Sequence, residues 1–396
     1  MGRRSLGRVL TTLAVANYRS LRFVVLPLAQ LTVVTGANGT GKSSLYRSLR
    51  LLADVALSRI VGSIAREGGM PSTLWAGAQR ISAVRGHDGT TLQLGYAGDE
   101  LGYQIDLGYP TFIERPTSFK LDPVIKSEVV FAGPIARPAS RLVQRIGPQV
   151  QARDDDGRWA GLAMELRSGD SMLTELADPQ GTPELFSVRE RIRSWRFYDA
   201  IRSDPDAPAR RPRIGTFTPV LASDGSDLPA AIQTIVEIGD EQALEDAVEE
   251  AFPGSRLAVV DSGGYLTLTL SQPGLLRALS AAELSDGTLR YLLWVAALLT
   301  PRPPELMVLN EPESSLHPDV LPALARLIVR ASAHTQIVVV SHASALVTEL
   351  AALGSATARG GGPVVATIEL SKDRGETTIG NQHGLLDKPD WIWAKR

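Results

Sequence analysis

The octapeptide Gly36-Ala37-Asn38-Gly39-Thr40-Gly41-Lys42-Ser43 has the spacing G-x-x-x-x-G-K-S, which cradles phosphate. Glycine suits those places because a Cβ would block positive φ or the close approach of backbone N–H groups to an anion. Lys42 brings a point charge to the outer phosphates of a nucleotide, and the Ser43 hydroxyl is of a type that ligates Mg²⁺. Ser44 belongs to the same anion-facing turn. The β-branched run Leu31 to Thr35 predicts a strand before the loop. Leu45, Leu49, Leu52 and Ala56 predict a helix after it with one apolar face, its N-terminal dipole aimed at the anion. The chemistry is nucleotide phosphate binding, which a kinase, a GTPase and an ATPase share.

A second set of residues lies near the other end. Pro304 to Pro312 is a buried-strand pattern that finishes on the polar pair Asn310-Glu311. Before it, Leu284-Ser285-Asp286-Gly287-Thr288 opens a helix that is apolar almost all round from Leu289 to Leu299, with Ser285 placed as its N-cap. After it, Thr335 to Val340 predicts another strand, delivering Ser341-His342 at its end. Taken singly, Ser285 is also an ordinary helix cap, Glu311 a strand-end turn residue and His342 a surface residue. Their order and spacing favour one ATP site that needs all of them.

The series Asn17-Tyr18-Arg19-Ser20-Leu21, Gly36 to Ser43, Leu284 to Thr288, Asn310-Glu311-Pro312-Glu313-Ser314-Ser315-Leu316-His317-Pro318 and Ser341-His342 resembles the RecF/OLD/SMC-like branch of ABC-type ATPases, often labelled AAA family ATPases. Ala65 to Met70 and Trp391-Ile392-Trp393 are similar to a small subgroup of these that lacks coiled coils. The resemblance implies an α/β fold: a P-loop NTPase of the ABC-ATPase head type, a mixed sheet with a flanking antiparallel β subdomain and an inserted helical or mixed lobe. It implies ATP and Mg²⁺ as cofactors, bound by Gly36, Asn38, Gly39, Thr40, Gly41, Lys42, Ser43 and Ser44. Ser285 and Gly287 would cap the γ-phosphate held by a second protomer, so that two sites form only in a homodimer. Glu311 would polarise the attacking water as general base, with Lys42 and His342 at the γ-phosphate. Ser314-Ser315-Leu316 would cross the dimer seam, with His317 a candidate at the same interface.

Two places depart from that pattern. Asp usually precedes the catalytic Glu, whereas this chain has Asn310, an amide that still accepts a hydrogen bond from a Mg²⁺-bound water but lacks the negative charge. Slower hydrolysis or weaker Mg²⁺ retention follows, not loss of ATP binding. The glutamine that watches Mg²⁺ has three candidates, Gln144, Gln149 and Gln151.

Lys42 and Ser285 stand about 240 positions apart, far more than in transporter ATPases, so something large is inserted. The interval has no sustained heptads and hence no SMC-type arm. The expected segments are 1–135 (first part of the head), 136–275 (inserted lobe) and 276–396 (second part of the head). Residues from about Arg80 to Val130 read as antiparallel strands around His87-Asp88-Gly89, Gly98-Asp99 and Gly108-Tyr109-Pro110. Pro134 to Pro148 reads as a basic linker. Helices are expected near Leu185–Ala200, Leu228–Ile238 and Glu241–Phe252, with Arg256–Asp261 and Tyr265–Leu270 pairing across Ser262-Gly263-Gly264. At the N-terminus, Gly2 to Leu6 imitates a twin-arginine signal, but Arg8, Thr11 and Thr12 interrupt its apolar part and the chain runs straight on into a hairpin pattern. The expectation is a mature N-terminus.

Composition bounds the rest. The 396 residues allow two or three lobes; 44% hydrophobic and 21% charged residues exclude wholesale disorder. The absence of cysteine removes thiol nucleophiles, disulfides and Cys-ligated metals and suits the cytoplasm. Tyr291 to Leu299, the longest apolar run, is about half of a membrane span, so no membrane partner is expected. A net charge of −2 denies the chain an overall basic field. Between Phe186 and Arg213, however, eight arginines (Arg189, Arg191, Arg193, Arg196, Arg202, Arg210, Arg211 and Arg213) face four acids, with Trp195, Phe197 and Tyr198 interleaved. This segment is a candidate DNA contact, and a solvated helix face with core aromatics is its competitor. Histidines 87, 317, 334, 342 and 383 have no ligand spacing. The function read from all this is Mg²⁺-dependent ATP binding and hydrolysis by a head that dimerises around ATP, driving or gating DNA maintenance or phage defence. The alternative is a slow regulatory ATP switch that controls a separate effector protein.

Overall fold

The computed structural model describes residues 10–77, 91–110, 118–154, 156–162, 164–359, 363–380, 382 and 388–394. The twin-arginine imitation, the His87-Asp88-Gly89 turn and His383 lie outside them. β1 (Thr12–Tyr18) and β2 (Leu21–Pro27) form the expected hairpin. β3 (Leu31–Gly36) precedes the phosphate loop, and α1 (Lys42–Ala56) follows it. Then come α2 (Ile60–Arg66), the single turn α3 (Met70–Thr73), and the strands β4 (Thr91–Ala97), β5 (Leu101–Gly108), β6 (Val124–Ala132), β7 (Arg141–Ile146), β8 (Gln149–Arg153) and β9 (Trp159–Gly161). α4 (Met172–Glu175) and α5 (Pro183–Ser194) lead to β10 (Arg196–Tyr198) and β11 (Arg213–Ile214). α6 (Leu228–Ile238) and α7 (Glu241–Ala251) precede β12 (Arg256–Ser262), β13 (Tyr265–Ser271) and β14 (Leu279–Ser280). The last part holds α8 (Asp286–Leu298), β15 (Leu306–Asn310), α9 (Leu321–Ala331), β16 (Gln336–Val340), α10 (Ser344–Arg359), β17 (Val365–Asp373) and β18 (Glu376–Ile379).

These elements gather into two compact units. One comprises Met1–Ala29, Gly36–Trp195 and Ile368–Arg396; the other comprises Gln30–Thr35 and Arg196–Thr367. The cuts fall at other points than the sequence boundaries at 135 and 275, because β7 to β9 continue a sheet that β1 and β2 begin.

That sheet fills the first unit: eight antiparallel strands in the order β2-β1-β4-β5-β6-β7-β8-β9. Alternation builds its core face, with Leu92, Leu94 and Tyr96 of β4 beside Tyr103, Ile105 and Leu107 of β5, all buried. The expected linker at Pro134–Pro148 is corrected here. Arg141–Ile146 is a sheet strand paired to β6, and Arg145 is fully buried. Its guanidinium bonds Glu128 at 3.0 Å and the carbonyls of Gly147 and Arg167 at 2.7 Å each, and also reaches the Asp170 carbonyl. Glu128, equally buried, accepts from the Tyr103 hydroxyl at 2.6 Å, from the Ser171 hydroxyl and from Met172 N at 3.0 Å. Burial and the Glu128 charge push the Tyr103 phenol well above its ordinary pKa. The network pins Ser171, the N-cap of α4, and α4 packs on α1, the phosphate-loop helix. Arg145→Met would strand the Glu128 carboxylate without a cation. It should cost about 3–5 kcal/mol in urea unfolding followed by tryptophan fluorescence, and a loss under about 1 kcal/mol would refute this account.

The second unit is built on parallel strands in the order β10-β15-β16-β3. Phe197, Val308, Val338 and Thr32 share one row, and Asn310, Val340 and Val34 another, so β15, β16 and β3 end level. Their nearly continuous apolar runs suit strands covered on both faces. α8 is buried on every side from Tyr291 to Leu298, as its composition demands, and Trp294 meets Tyr198 edge to face at 6.2 Å. The β12–β13 hairpin forms as expected across Gly263 and Gly264. The helix expected over Leu185–Ala200 stops at Ser194: Trp195 turns extended (ψ 142°), and Arg196–Tyr198 joins the parallel sheet as β10.

Candidate functional site

In the first unit the phosphate loop is shaped by its glycines and by what lies behind them. Gly36 and Gly41 have φ of +144° and +105°. A Cβ on Gly36 would sit 2.3 Å from the Leu370 carbonyl oxygen, and one on Gly41 would sit 2.2 Å from Thr377 Oγ1. Gly39 has φ +79° with open space around it, and Asn38 is exposed beside it. Thr40 turns its hydroxyl inward, donating to the Ala37 carbonyl at 2.8 Å. Lys42 is buried and folds over the loop, its Nζ donating to the carbonyls of Gly36 (2.5 Å) and Ala37 (3.0 Å).

α1 begins on Gly41 with no side-chain cap and no acid in its first turn. Its first N–H groups therefore present an uncompensated positive end, and an anion fits there. Ser43 is exposed in that first turn and Ser44 half-buried. For Mg²⁺ the phosphate loop of this unit offers a neutral donor, the Ser43 hydroxyl, of a kind that suits the ion only in company with phosphate oxygens. Among the described residues no group of three or more His, Cys, Asp or Glu gathers around a point that could hold a metal.

Asn17 and Arg19 both take left-handed backbone, φ +59° and +50°, at the β1–β2 turn. Their side chains hold the fold. Asn17 Nδ2 donates to the Thr91 carbonyl at 2.9 Å, while Arg19 (2.7 Å) and the Tyr18 hydroxyl (2.7 Å) converge on Glu67 Oε2. Gln144 and Gln151 face each other across β7 and β8, Nε2 to Oε1 3.2 Å, and Gln149 is exposed beside their turn.

In the second unit, Asn310 ends β15 and Glu311 follows with a left-handed φ of +48°, its N–H donating to the Val340 carbonyl at 2.8 Å. Its carboxylate and the His342 ring are both about half exposed and lie 3.5 Å apart, Oε1 to Nδ1. Glu313 is the residue that the motif reading left without a role. It is buried, and its Oε1 accepts from the Ser341 hydroxyl at 2.8 Å, His342 N at 3.1 Å and Ala343 N at 3.2 Å. One carboxylate oxygen thereby ties the turn after β15 to the turn after β16. Its Oε2 is buried with no partner among the described residues, and so is Nε of Arg290. Burial lowers the pKa of Arg290, against which the Glu313 and Glu311 charges work.

Ser285 caps α8, its hydroxyl accepting from Thr288 N at 3.1 Å, and stays exposed. Gly287 lies against the Ser314–Leu316 loop: a Cβ there would stand 2.9 Å from the Ser315 carbonyl oxygen. Behind this turn sits Arg210, buried and fully used. It donates to the carbonyls of Ala281 (3.0 Å), Leu284 (2.7 Å) and Ser203 (2.7 Å) and pairs with Asp286 at 2.6 Å. The Arg189–Arg213 segment divides between fold and surface: Arg193, Arg202, Arg211 and Arg213 are exposed, whereas its aromatics and Arg210 are internal. Trp195, Phe197 and Tyr198 are buried, Arg202 pairs with Asp204, and Arg210 braces the Ser285 turn. His317 is exposed and caps a short turn through Asp319 N. His334 lines a cavity of about 300 Å³ with Asp240 and Arg330, and none of the motif residues of the phosphate loop, the Ser285 turn or the Asn310-Glu311 pair is among its lining.

Among solved structures, the Smc head bound to the C-winged helix domain of ScpA is similar over 93% of this chain and 97% of its own, with 13% identity and a TM-score of 0.50. The SMC head domain from Thermotoga maritima matches with the same coverage and identity and a TM-score of 0.43. A Pyrococcus furiosus Smc head with an extended coiled coil covers 93% and 95% at 11% identity, with a TM-score of 0.45. The first likeness shows the fold, an α/β ATPase head of the SMC, ABC-type kind. No curated protein matches the chain. Among the described residues no helix is long and apolar enough to cross a membrane. A family described as "AAA domain, putative AbiEii toxin, Type IV TA system" matches residues 31–348, well over half of the length. The chain belongs to that AAA-domain family.

Proposed function

We propose that this protein binds and hydrolyses ATP with Mg²⁺, that two copies close around two nucleotides, and that this cycle gates a separate effector protein. The observation that carries the reading is the uncapped, acid-free start of α1 with Lys42 folded over the loop before it, an arrangement that suits phosphate. Gly36 to Ser44 would hold the triphosphate. Ser43 and Asn310 would hold Mg²⁺, which neutralises phosphate charge when bound. Glu311 would accept the proton of the attacking water, and His342, set by Glu313, would meet the γ-phosphate. The exposed Ser285 and the half-buried Gly287 would serve the partner's nucleotide, which would make a homodimer the active species.

The family's description, which names a type IV toxin–antitoxin system, supports a defence role, and the cysteine-free composition suits the cytoplasm as its place. An effector client is preferred to DNA because the aromatics of the arginine-rich segment are core and Arg210 is internal, which leaves Arg193, Arg202, Arg211 and Arg213 as its exposed cations and no exposed aromatic ring among Trp195, Phe197 and Tyr198 for a base to stack on. The test is phosphate release at low salt with and without duplex DNA, using Lys42→Ala as the blank. Turnover above the blank and indifferent to DNA is expected. Strong stimulation by DNA would make nucleic acid the client and sink the effector reading, and turnover equal to the blank would sink both.

A further inference from the structure

The phosphate loop has a brace that its own sequence does not contain. β17 and β18 form an antiparallel hairpin near the other end of the chain, Leu370 opposite Ile379 and Asp373 opposite Glu376. Its β17 strand meets the loop's first glycine through the Leu370 carbonyl, and its β18 strand meets the last through Thr377. Thr377 is buried; its hydroxyl is 2.8 Å from the Thr40 carbonyl oxygen and 2.8 Å from the Ser20 hydroxyl, and its N–H donates to the Ser20 carbonyl at 2.8 Å. A hydroxyl has one proton and a carbonyl can only accept, so Thr377 donates to Thr40 and Ser20 donates to Thr377. Arg22 of β2 pairs with Glu376 at 2.5 Å and fixes the hairpin alongside.

We infer that Thr377 is a positioning residue for nucleotide binding, through the peptide plane it holds. In a trans peptide the C=O of Thr40 and the N–H of Gly41 point to opposite sides. With the oxygen held toward the hairpin, the Gly41 N–H is turned away from it, toward the concave side where a phosphate would sit. An unpinned Thr40–Gly41 peptide can rotate between glycine-permitted states and must be ordered when the anion arrives. The hydroxyl does that ordering in advance. The crowding of Gly41 by Thr377 Oγ1 adds a second reason for glycine there, beside access to phosphate.

The inference rests on the nucleotide reading above. It is tested by calorimetric titration with Mg-ATP on the full chain, comparing wild type with Thr377→Val, Thr377→Ser, Ser20→Ala and the Lys42→Ala blank. Thr377→Val keeps the shape and removes the hydroxyl, and should weaken ATP binding about five- to tenfold, with Thr377→Ser restoring it. Ser20→Ala, one bond further out, should weaken it about two- to threefold, and it carries the test should the valine variant not fold. A merely structural role would lower the melting temperature and leave the dissociation constant at 20 °C unchanged. Wild-type affinity in Thr377→Val, or in Ser20→Ala if the valine variant is lost, overturns the inference and leaves the nucleotide reading standing. A wild-type chain that binds no more ATP than Lys42→Ala overturns both.

Discussion

Lys42→Ala should bind ATP about a hundredfold more weakly than wild type, enough to empty the site at micromolar nucleotide. The ammonium is held by two carbonyls, those of Gly36 and Ala37, with its stem buried against the loop. Alanine removes the only cation of the octapeptide and leaves the glycine amides to compensate the phosphates alone. A hydrogen bond to a charged group contributes about 1.5–3 kcal/mol, and the outer phosphates of ATP carry several charges. Equilibrium binding of a fluorescent ATP analogue is the measurement. An affinity within threefold of wild type would mean that the nucleotide, if any, sits elsewhere.

Glu311→Gln should lower turnover by about 10²–10³ while leaving ATP binding intact. Glutamine keeps the shape and the left-handed backbone that Glu311 adopts, so the strain of order 1 kcal/mol at that position is common to both proteins and stability should not change. What is lost is the proton acceptor beside His342. With hydrolysis stalled, ATP-bound dimers should accumulate, and light scattering at saturating Mg-ATP should report twice the mass of a single chain. A chain that stays monomeric there contradicts the composite site, whatever its turnover.

The parts of this site that sequence revealed are those where chemistry and local geometry coincide. The phosphate loop, the strand before it and the helix after it occupy consecutive residues, and Ser285 caps a helix that starts at the next position. Parallel strands such as β15 and β16 announce themselves because both of their faces are covered. What stayed hidden depends on partners far away in the chain. Arg145 and Arg210 read as linker and surface charge, since nothing local records the carbonyls that will satisfy a buried guanidinium. Glu313 left one hint, its place two residues after Glu311, but its three donors come from the turn after β16. The helix expected through Ala200 failed because Arg196–Tyr198 pairs with β15, a tertiary demand that overrides a local propensity. The choice among Gln144, Gln149 and Gln151 was open in sequence because all three share one hairpin.

The brace behind the phosphate loop also sets an order in time. A ribosome releases residues 36–43 early, but the hydroxyl that orients Gly41 comes 337 positions after Thr40, and the carboxylate that pairs with Arg22 comes 354 positions after that arginine. Contacts of that sequence separation close last, after the entropy of the long loop between them has been spent. During synthesis the loop is therefore present yet unfinished. Its affinity for ATP should rise only when the hairpin docks, so the nucleotide joins a folded first unit and does not template its folding on the ribosome.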